Sequence, residues 1–252
     1  MTVWELVLLT GALAFAGLVK GVTGMGLPLF ATPVLAGVFG ARPAVVILSI
    51  PIFVTNVLLL YEGRRILRVA GDLWTMALGG AAGVVVGVRL LVQLDQNLLA
   101  LLIAALVFLL VGAGRRVFEK VPRSFDAKVL GPLVGFASGV LMGATSISGP
   151  LVGSYLHARR LTAERFVVAI AFIFQVFAVV QVIGLWRLGL YDRTTVTVGL
   201  TGLVPTLLAF WLGTRVRERL DTRAFRTVVV ALLLLSAVNL LLQGLRGLGV
   251  LS

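Results

Sequence analysis

Apolar residues in this chain do not alternate with polar ones. They run together in blocks of about 16 to 22 residues, roughly the length that crosses a bilayer. The clearest blocks are 43–61, 73–92, 98–113, 165–186, 194–212 and 226–243, divided by short stretches where Arg, Lys, Asp and Pro collect. At ~1.5 Å per helical residue each block approaches the ~30 Å of a hydrocarbon core, so the pattern predicts six plain spanning helices. Residues 1–21 are long enough for a further crossing. The stretch "ALAFAG" (12–17) contains the A-x-A pattern of a signal-peptide cleavage site, but a basic n-region is missing, Glu5 stands instead, and apolar sequence continues beyond. The expectation is a retained first helix.

Two stretches break the pattern in the same way. "GLVKGVTGMGLPLF" begins at Gly17 and "GFASGVLMGATSISGPL" at Gly135; each opens on G-x-x-x-G and passes through small residues to a proline, Pro28 or Pro150. The same spacing beyond each proline leads to a charged residue, Arg42 or Glu164, and then to a long apolar block. Further on, "GVRLLVQLD" (87–95) matches "GTRVRERLD" (213–221) at Gly, Arg, Leu and Asp in register. One G-x-x-x-G is common in apolar helices, but two matched segments per half indicate an internal repeat. The apolar pieces flanking GATSISG are short for full spans, so the segment reads as two part-length helices meeting at membrane depth, with an equivalent break around Gly24 to Pro28.

Composition and charge give the repeat an orientation. The chain of 252 residues is 60% hydrophobic and 13% charged, with a mean hydropathy of +1.10, far from a soluble domain. Its net charge of +12 is concentrated in loops. Arg64, Arg65 and Arg68 follow one block; Arg115, Arg116, Lys120, Arg123 and Lys128 fill the 114–128 linker; Arg215, Arg217, Arg219, Arg223 and Arg226 fill the last loop. Basic short loops mark the cytoplasmic face, and anionic lipid headgroups rather than nucleic acid are the partner they imply. The weakly basic loop at 89–97 has a strongly basic counterpart at 213–226, so equivalent loops face opposite sides. The fold class expected is an all-α polytopic membrane protein of two inverted-topology repeats, each a glycine-rich broken-helix unit plus three spanning helices. The repeats are 1–113 and 129–252, joined by the basic cytoplasmic linker 114–128.

A break at membrane depth must line protein or a water-filled cavity, because unpaired backbone groups in lipid cost several kcal/mol each. Gly143 and Gly149 offer backbone freedom, Pro150 suits a first helical turn, and Ser148 or Gly149 suits its N-cap. Helix N-termini favour anions. Thr145, Ser146, Ser148 and Gly149 in one half, with Thr23, Gly24 and Gly26 in the other, are therefore candidate ligands for a small anion near the midplane. The alternative is that the glycines serve close helix packing and the hydroxyls bond their own backbone. Lys20 either adds positive charge to such a site or snorkels from a helix end. Ser49, Asn56 and Gln175 either contact substrate or bond between helices. His157 stands beside Arg159 and Arg160 at a segment end, an interfacial position. The ten acidic residues all fall at or near segment ends, and the chain has no cysteine. An intramembrane enzyme, a metal site and a cofactor are accordingly not expected.

The two glycine-rich-to-proline segments, each followed by a small-residue span such as "ARPAVVILSIPIFVTNVLLLYEGRR" (41–65), resemble the sulfite exporter TauE/SafE family over nearly the whole chain. The likeness falls on Gly17, Gly21, Gly24, Gly26 and Pro28 and on Gly135, Gly139, Gly143, Gly149 and Pro150. It implies a multi-pass permease of a bacterial inner membrane that exports sulfite or organosulfonates such as sulfoacetate; the paired breaks and the inverted repeat add the expectation of alternating access, one repeat rocking against the other, and a homodimer is a further candidate partner. The chain departs from the family's denser glycine runs at "GMGLP" and "TSISGP", and from its threonine-serine pair, here reduced to Ser49. A channel or carrier for another small anion, and a non-transporting membrane assembly protein, are the alternatives.

Overall fold

The computed structural model describes residues 3–65, 73–113, 127–159, 161–216 and 222–250. Most of the 114–128 linker, with Arg68, Arg160, Arg217 and Arg219, lies outside the described residues. Among those described, the chain forms ten helices and no strand: α1 (Val3–Thr23), α2 (Leu27–Phe39), α3 (Ala41–Glu62), α4 (Trp74–Gln93), α5 (Gln96–Ala113), α6 (Ala127–Thr145), α7 (Gly149–Ala158), α8 (Ala163–Arg187), α9 (Arg193–Val216) and α10 (Thr222–Gly247). The protein is all-helical and membrane-spanning by composition. Leu6–Thr23, α3, α4, α8 and α9 are each long and apolar enough to cross a bilayer. Four of the six expected blocks coincide with these spans. The block 98–113 falls on α5, whose described apolar part ends at Leu109, and 226–243 falls on α10, whose first side chains lie outside the described residues.

The second broken segment departs from its expected proportions. Its first helix is not part-length: α6 has 19 residues, about 28 Å of helix, and it begins at Ala127, within the expected linker 114–128. Only α7, with 10 residues, is short.

Local sequence explains where the helices start and stop. Asp192 caps α9 in a reciprocal box: its carboxylate accepts the N–H of Thr195 at 2.6 Å, and its own N–H reaches the Thr195 hydroxyl at 3.1 Å. The Thr195 hydroxyl, which also donates to that carboxylate at 2.7 Å, and the Thr195 N–H together hold the Asp192 carboxyl below the usual carboxylate range. Asp95 caps α5 in a similar way, accepting the N–H of Asn97 at 2.7 Å. At the other end of α4, the Arg42 guanidinium donates to the carbonyls of Leu91, Val92 and Leu94 at 3.0 to 3.1 Å. A cation at a helix C-terminus answers both the orphan carbonyls and the dipole.

Packing crosses between the halves of the chain. The broad helix seams pair α4 with α6 and α1 with α9; α5 packs on α10 and α3 on α8, while α9 also contacts α3 and α8 contacts α4. The two broad seams are made by the glycines of the repeated motifs. A β-carbon added to Gly87 would lie 2.9 Å from the Cα of Gly143, and one added to Gly213 would lie 3.0 Å from the Cα of Gly21. Gly139 abuts the backbone of Gly80, and Gly17 abuts that of Thr206. Backbones this close gain dispersion contacts along the whole seam, which is how helices associate when lipid is as apolar as their side chains. Replacing Gly139 with Val should therefore destabilise the fold by about 3 kcal/mol, the upper end of the cost of overpacking, seen as a lower Tm and loss of monodisperse protein. At Gly11, where a β-carbon meets nothing within 4 Å, the same substitution should leave Tm nearly unchanged.

Candidate functional site

The two glycine-rich segments end in the same local device. Helix α1 stops at Thr23 and α2 starts at Leu27; α6 stops at Thr145 and α7 starts at Gly149. In the first break the Thr23 hydroxyl accepts the N–H of Met25 at 3.3 Å and lies 2.9 Å from the carbonyl of Val19. In the second, the Thr145 hydroxyl accepts the N–H of Ile147 at 3.1 Å and donates to the carbonyl of Leu141 at 2.8 Å. The next residue in each case turns left-handed, Gly24 with φ 77° and Ser146 with φ 61°. Each still donates its N–H back at 2.8 Å, Gly24 to Lys20 and Ser146 to Met142. Thus the hydroxyls of Thr23 and Thr145 make the backbone bonds that the chain loses at the break.

Ser146 is the departure, since a non-glycine residue in this region carries a steric cost. It is held from outside. Gln181 of α8 donates from Nε2 to the Met142 carbonyl at 2.9 Å and to the Ser146 hydroxyl at 3.3 Å. Both Gln181 and Ser146 are fully buried.

Beyond the breaks, α2 and α7 begin with Pro28 and Pro150 in their first turns. Their first helical acceptors are the carbonyls of Gly26 and Ser148, which receive the N–H groups of Phe30 and Val152. The N–H groups before those have no acceptor within their own helix, as at any helix start. The two helix starts face a common cavity of about 340 Å³. Gly26 and Pro28 line it from one half, and Ser148, Gly149 and Pro150 from the other.

Two polar side chains stand out on its wall. Lys20 is 2% exposed and does not snorkel; its Nζ donates to the Asn56 Oδ1 of α3 at 2.5 Å. Ser148 occupies the N-cap position of α7 without bonding a backbone N–H, and its hydroxyl contacts only the thioether of Met142, at 3.7 Å. The remaining wall is chiefly apolar, including Met25, Phe30, Ile52 and Phe174.

Of the residues singled out in the sequence, Lys20, Thr23, Gly26, Ser148 and Gly149 come together on this wall. Asn56 stands behind Lys20, and its amide nitrogen has no hydrogen-bond partner although fully buried. Gly24 packs against Val167 of α8. Thr145 and Ser146 are turned into the bend itself. Ser49 lies apart, bonding the hydroxyl of Tyr191 and the carbonyl of Val46, each at 2.6 Å. Burial raises the Tyr191 phenol pKa against the opposing effect of the Ser49 bond, so this contact stays protonated at neutral pH. Gln175 is half-buried with an unpartnered carbonyl oxygen, away from the cavity lining. Gly143, expected to supply backbone freedom, is instead a helical contact point of α6 against α4. Sequence reasoning did not assign Gln181, Met142 or Phe174 to the site; the one available signal was that Gln181, like Gln175, is a polar residue in an apolar span. No group of three or more His, Cys, Asp or Glu that could hold a metal occurs among the described residues.

The described residues form ten packed helices, five of them long and apolar enough to cross a membrane, and two backbone breaks line one partly open cavity, which makes this a polytopic membrane protein. The profile of the sulfite exporter TauE/SafE family matches residues 9–240, and the chain belongs to that family of membrane transporters. No curated protein and no solved structure matches the chain.

Removing the Thr145 hydroxyl leaves the Ile147 N–H without its acceptor inside the protein. Thr145→Val should cost about 1 to 3 kcal/mol of stability, read as a lower Tm, and Thr145→Ser should recover most of it.

Proposed function

We propose that this protein is a permease that exports small sulfur-containing anions, sulfite or organosulfonates, and that the anion is bound between the two helix breaks. The observation that carries the reading is the cavity wall itself: two helix N-termini and one buried lysine side chain open onto a single space. Each of these features favours negative charge. The Ser148 hydroxyl, whose partner is the weakly accepting Met142 thioether, is one donor that an anion could recruit, and the N–H groups at the start of α2 and α7 are others. Family membership supports the transport of sulfite or a related anion.

For the transport cycle, we propose alternating access in which one half rocks against the other as an inverted repeat. Support comes from the duplicated break, the glycine seams that recur with the same motif residues, and the exchange of basic and weakly basic loops between the halves. The arginine-rich loops would face the cytoplasm and its anionic lipids, in the inner membrane of a bacterium. An anion leaving a negative interior gains ~2.3 kcal/mol per charge per 100 mV, so export does not require a coupled ion.

In proteoliposomes a carrier of this kind should take up labelled anion faster when unlabelled anion waits on the far side. Lys20→Met should lower the rate by about 10- to 100-fold at subsaturating anion, the loss expected for one charged hydrogen bond. Uptake without any acceleration by the trans anion would make the protein a channel, and no flux from folded protein would make it an assembly factor.

A further inference from the structure

The cavity is poorly matched to a small, highly charged oxyanion. Among its lining residues Lys20 is the one charged side chain, and its partner, the Asn56 carbonyl, is neutral. One bound negative charge therefore meets at most one positive charge. A second would sit uncompensated among Met25, Leu29, Ile52, Ile147 and Phe174, and an unpaired ion in such surroundings costs several kcal/mol. Size points the same way. At about 340 Å³ the space is many times the ~30 Å³ share of a water molecule, more than a three-oxygen anion fills. Apolar walls left facing water or void gain nothing, whereas an apolar body laid against them does.

On the anion-permease reading, which this inference rests on, we propose that the preferred substrate is a monovalent sulfonate with an apolar body, such as a short alkanesulfonate. Its head group meets Lys20, Ser148 and the two helix starts, and its tail lies along the Met25 and Phe174 wall. Sulfite, sulfate and sulfoacetate, which lack the apolar body or carry a second charge, bind more weakly. Phe30 sets the limit on tail length. It lines this cavity and also a second, apolar groove of about 350 Å³ bounded by Val7, Leu8, Ala12 and Val34, with Phe15 edge-on to it at 5.7 Å between ring centres.

The test is ligand-induced thermal stabilisation of the full chain in lipid nanodiscs, with methane-, propane-, butane- and hexanesulfonate against sulfite, sulfate, sulfoacetate and 1-butanol. Affinity should rise about fourfold per added methylene, roughly 50-fold from methane- to butanesulfonate, and then level off. In Phe30→Ala the rise should continue to hexanesulfonate, because the two spaces join. In Lys20→Met all the sulfonates should lose affinity. Sulfite or sulfoacetate binding more tightly than butanesulfonate, or affinity independent of tail length, would overturn this inference and leave the permease reading standing. Stabilisation by 1-butanol equal to that by butanesulfonate, or undiminished affinity for every sulfonate in folded Lys20→Met, would be partition into the bilayer and would also overturn it. Binding of none of the anions by folded protein would remove both readings. Should Lys20→Met fail to fold, the shift of the optimum in Phe30→Ala decides the matter alone.

Discussion

A helix that stops inside an apolar protein leaves backbone donors and acceptors without partners, and the cost of those groups governs this structure. The chain meets it twice with one device. A threonine hydroxyl at the end of the first helix takes the N–H two residues on, and the residue between them turns left-handed. What the device leaves over is a set of N–H groups at the next helix start, directed at a common space. The same constraint that makes a break costly thus makes it a binding surface for negative charge, because an anion supplies the missing acceptors.

The seams hold the two breaks opposite each other. Helix α1, which carries the first break, is gripped by α9 from the second half, and α6, which carries the other, is gripped by α4 from the first. Both grips are glycine against glycine, Gly21 on Gly213 and Gly143 on Gly87. Neither half can place its break without the other. Gln181 of α8 reaches the second break at Ser146 and Met142, and Lys20 is oriented by Asn56 of α3. Helices α3 and α8 therefore hold Lys20 and the Ser146 bend in place, while the glycine seams set the position of the breaks.

Much of this was legible in the sequence because hydrophobic blocks and glycine spacing are local signals. Helices formed at all six expected blocks, four of them long and apolar enough to span, the first apolar segment became α1, and the helices of the two glycine-rich segments are interrupted at Gly24 to Gly26 and Ser146 to Ser148. What could not be read depends on distance in space. Lys20 and Asn56 are 36 residues apart, and Gln181 and Ser146 are 35, so nothing in either neighbourhood announces the pair. Ser49 looked equivalent to Asn56 on the same helix, yet it points to Tyr191. Gly143 looked like a hinge residue and is a packing surface, because the hinge falls on Ser146, whose strain a glutamine from another helix supports. The apolar wall of Met142 and Phe174 was indistinguishable from ordinary core.

Lys20 and Ser148 approach the cavity from different halves of the chain, and the central claim is that an anion occupies the space between them. The chain contains no cysteine, so a single one introduced as Ser148→Cys reports on that space alone. In proteoliposomes a small water-soluble thiol reagent should modify it, and a transported sulfonate at a hundred times its Kd should slow the modification about a hundredfold, as expected for a ligand that covers the residue. Modification at an unchanged rate, under conditions where the same sulfonate saturates transport, would place the bound anion elsewhere and contradict the account.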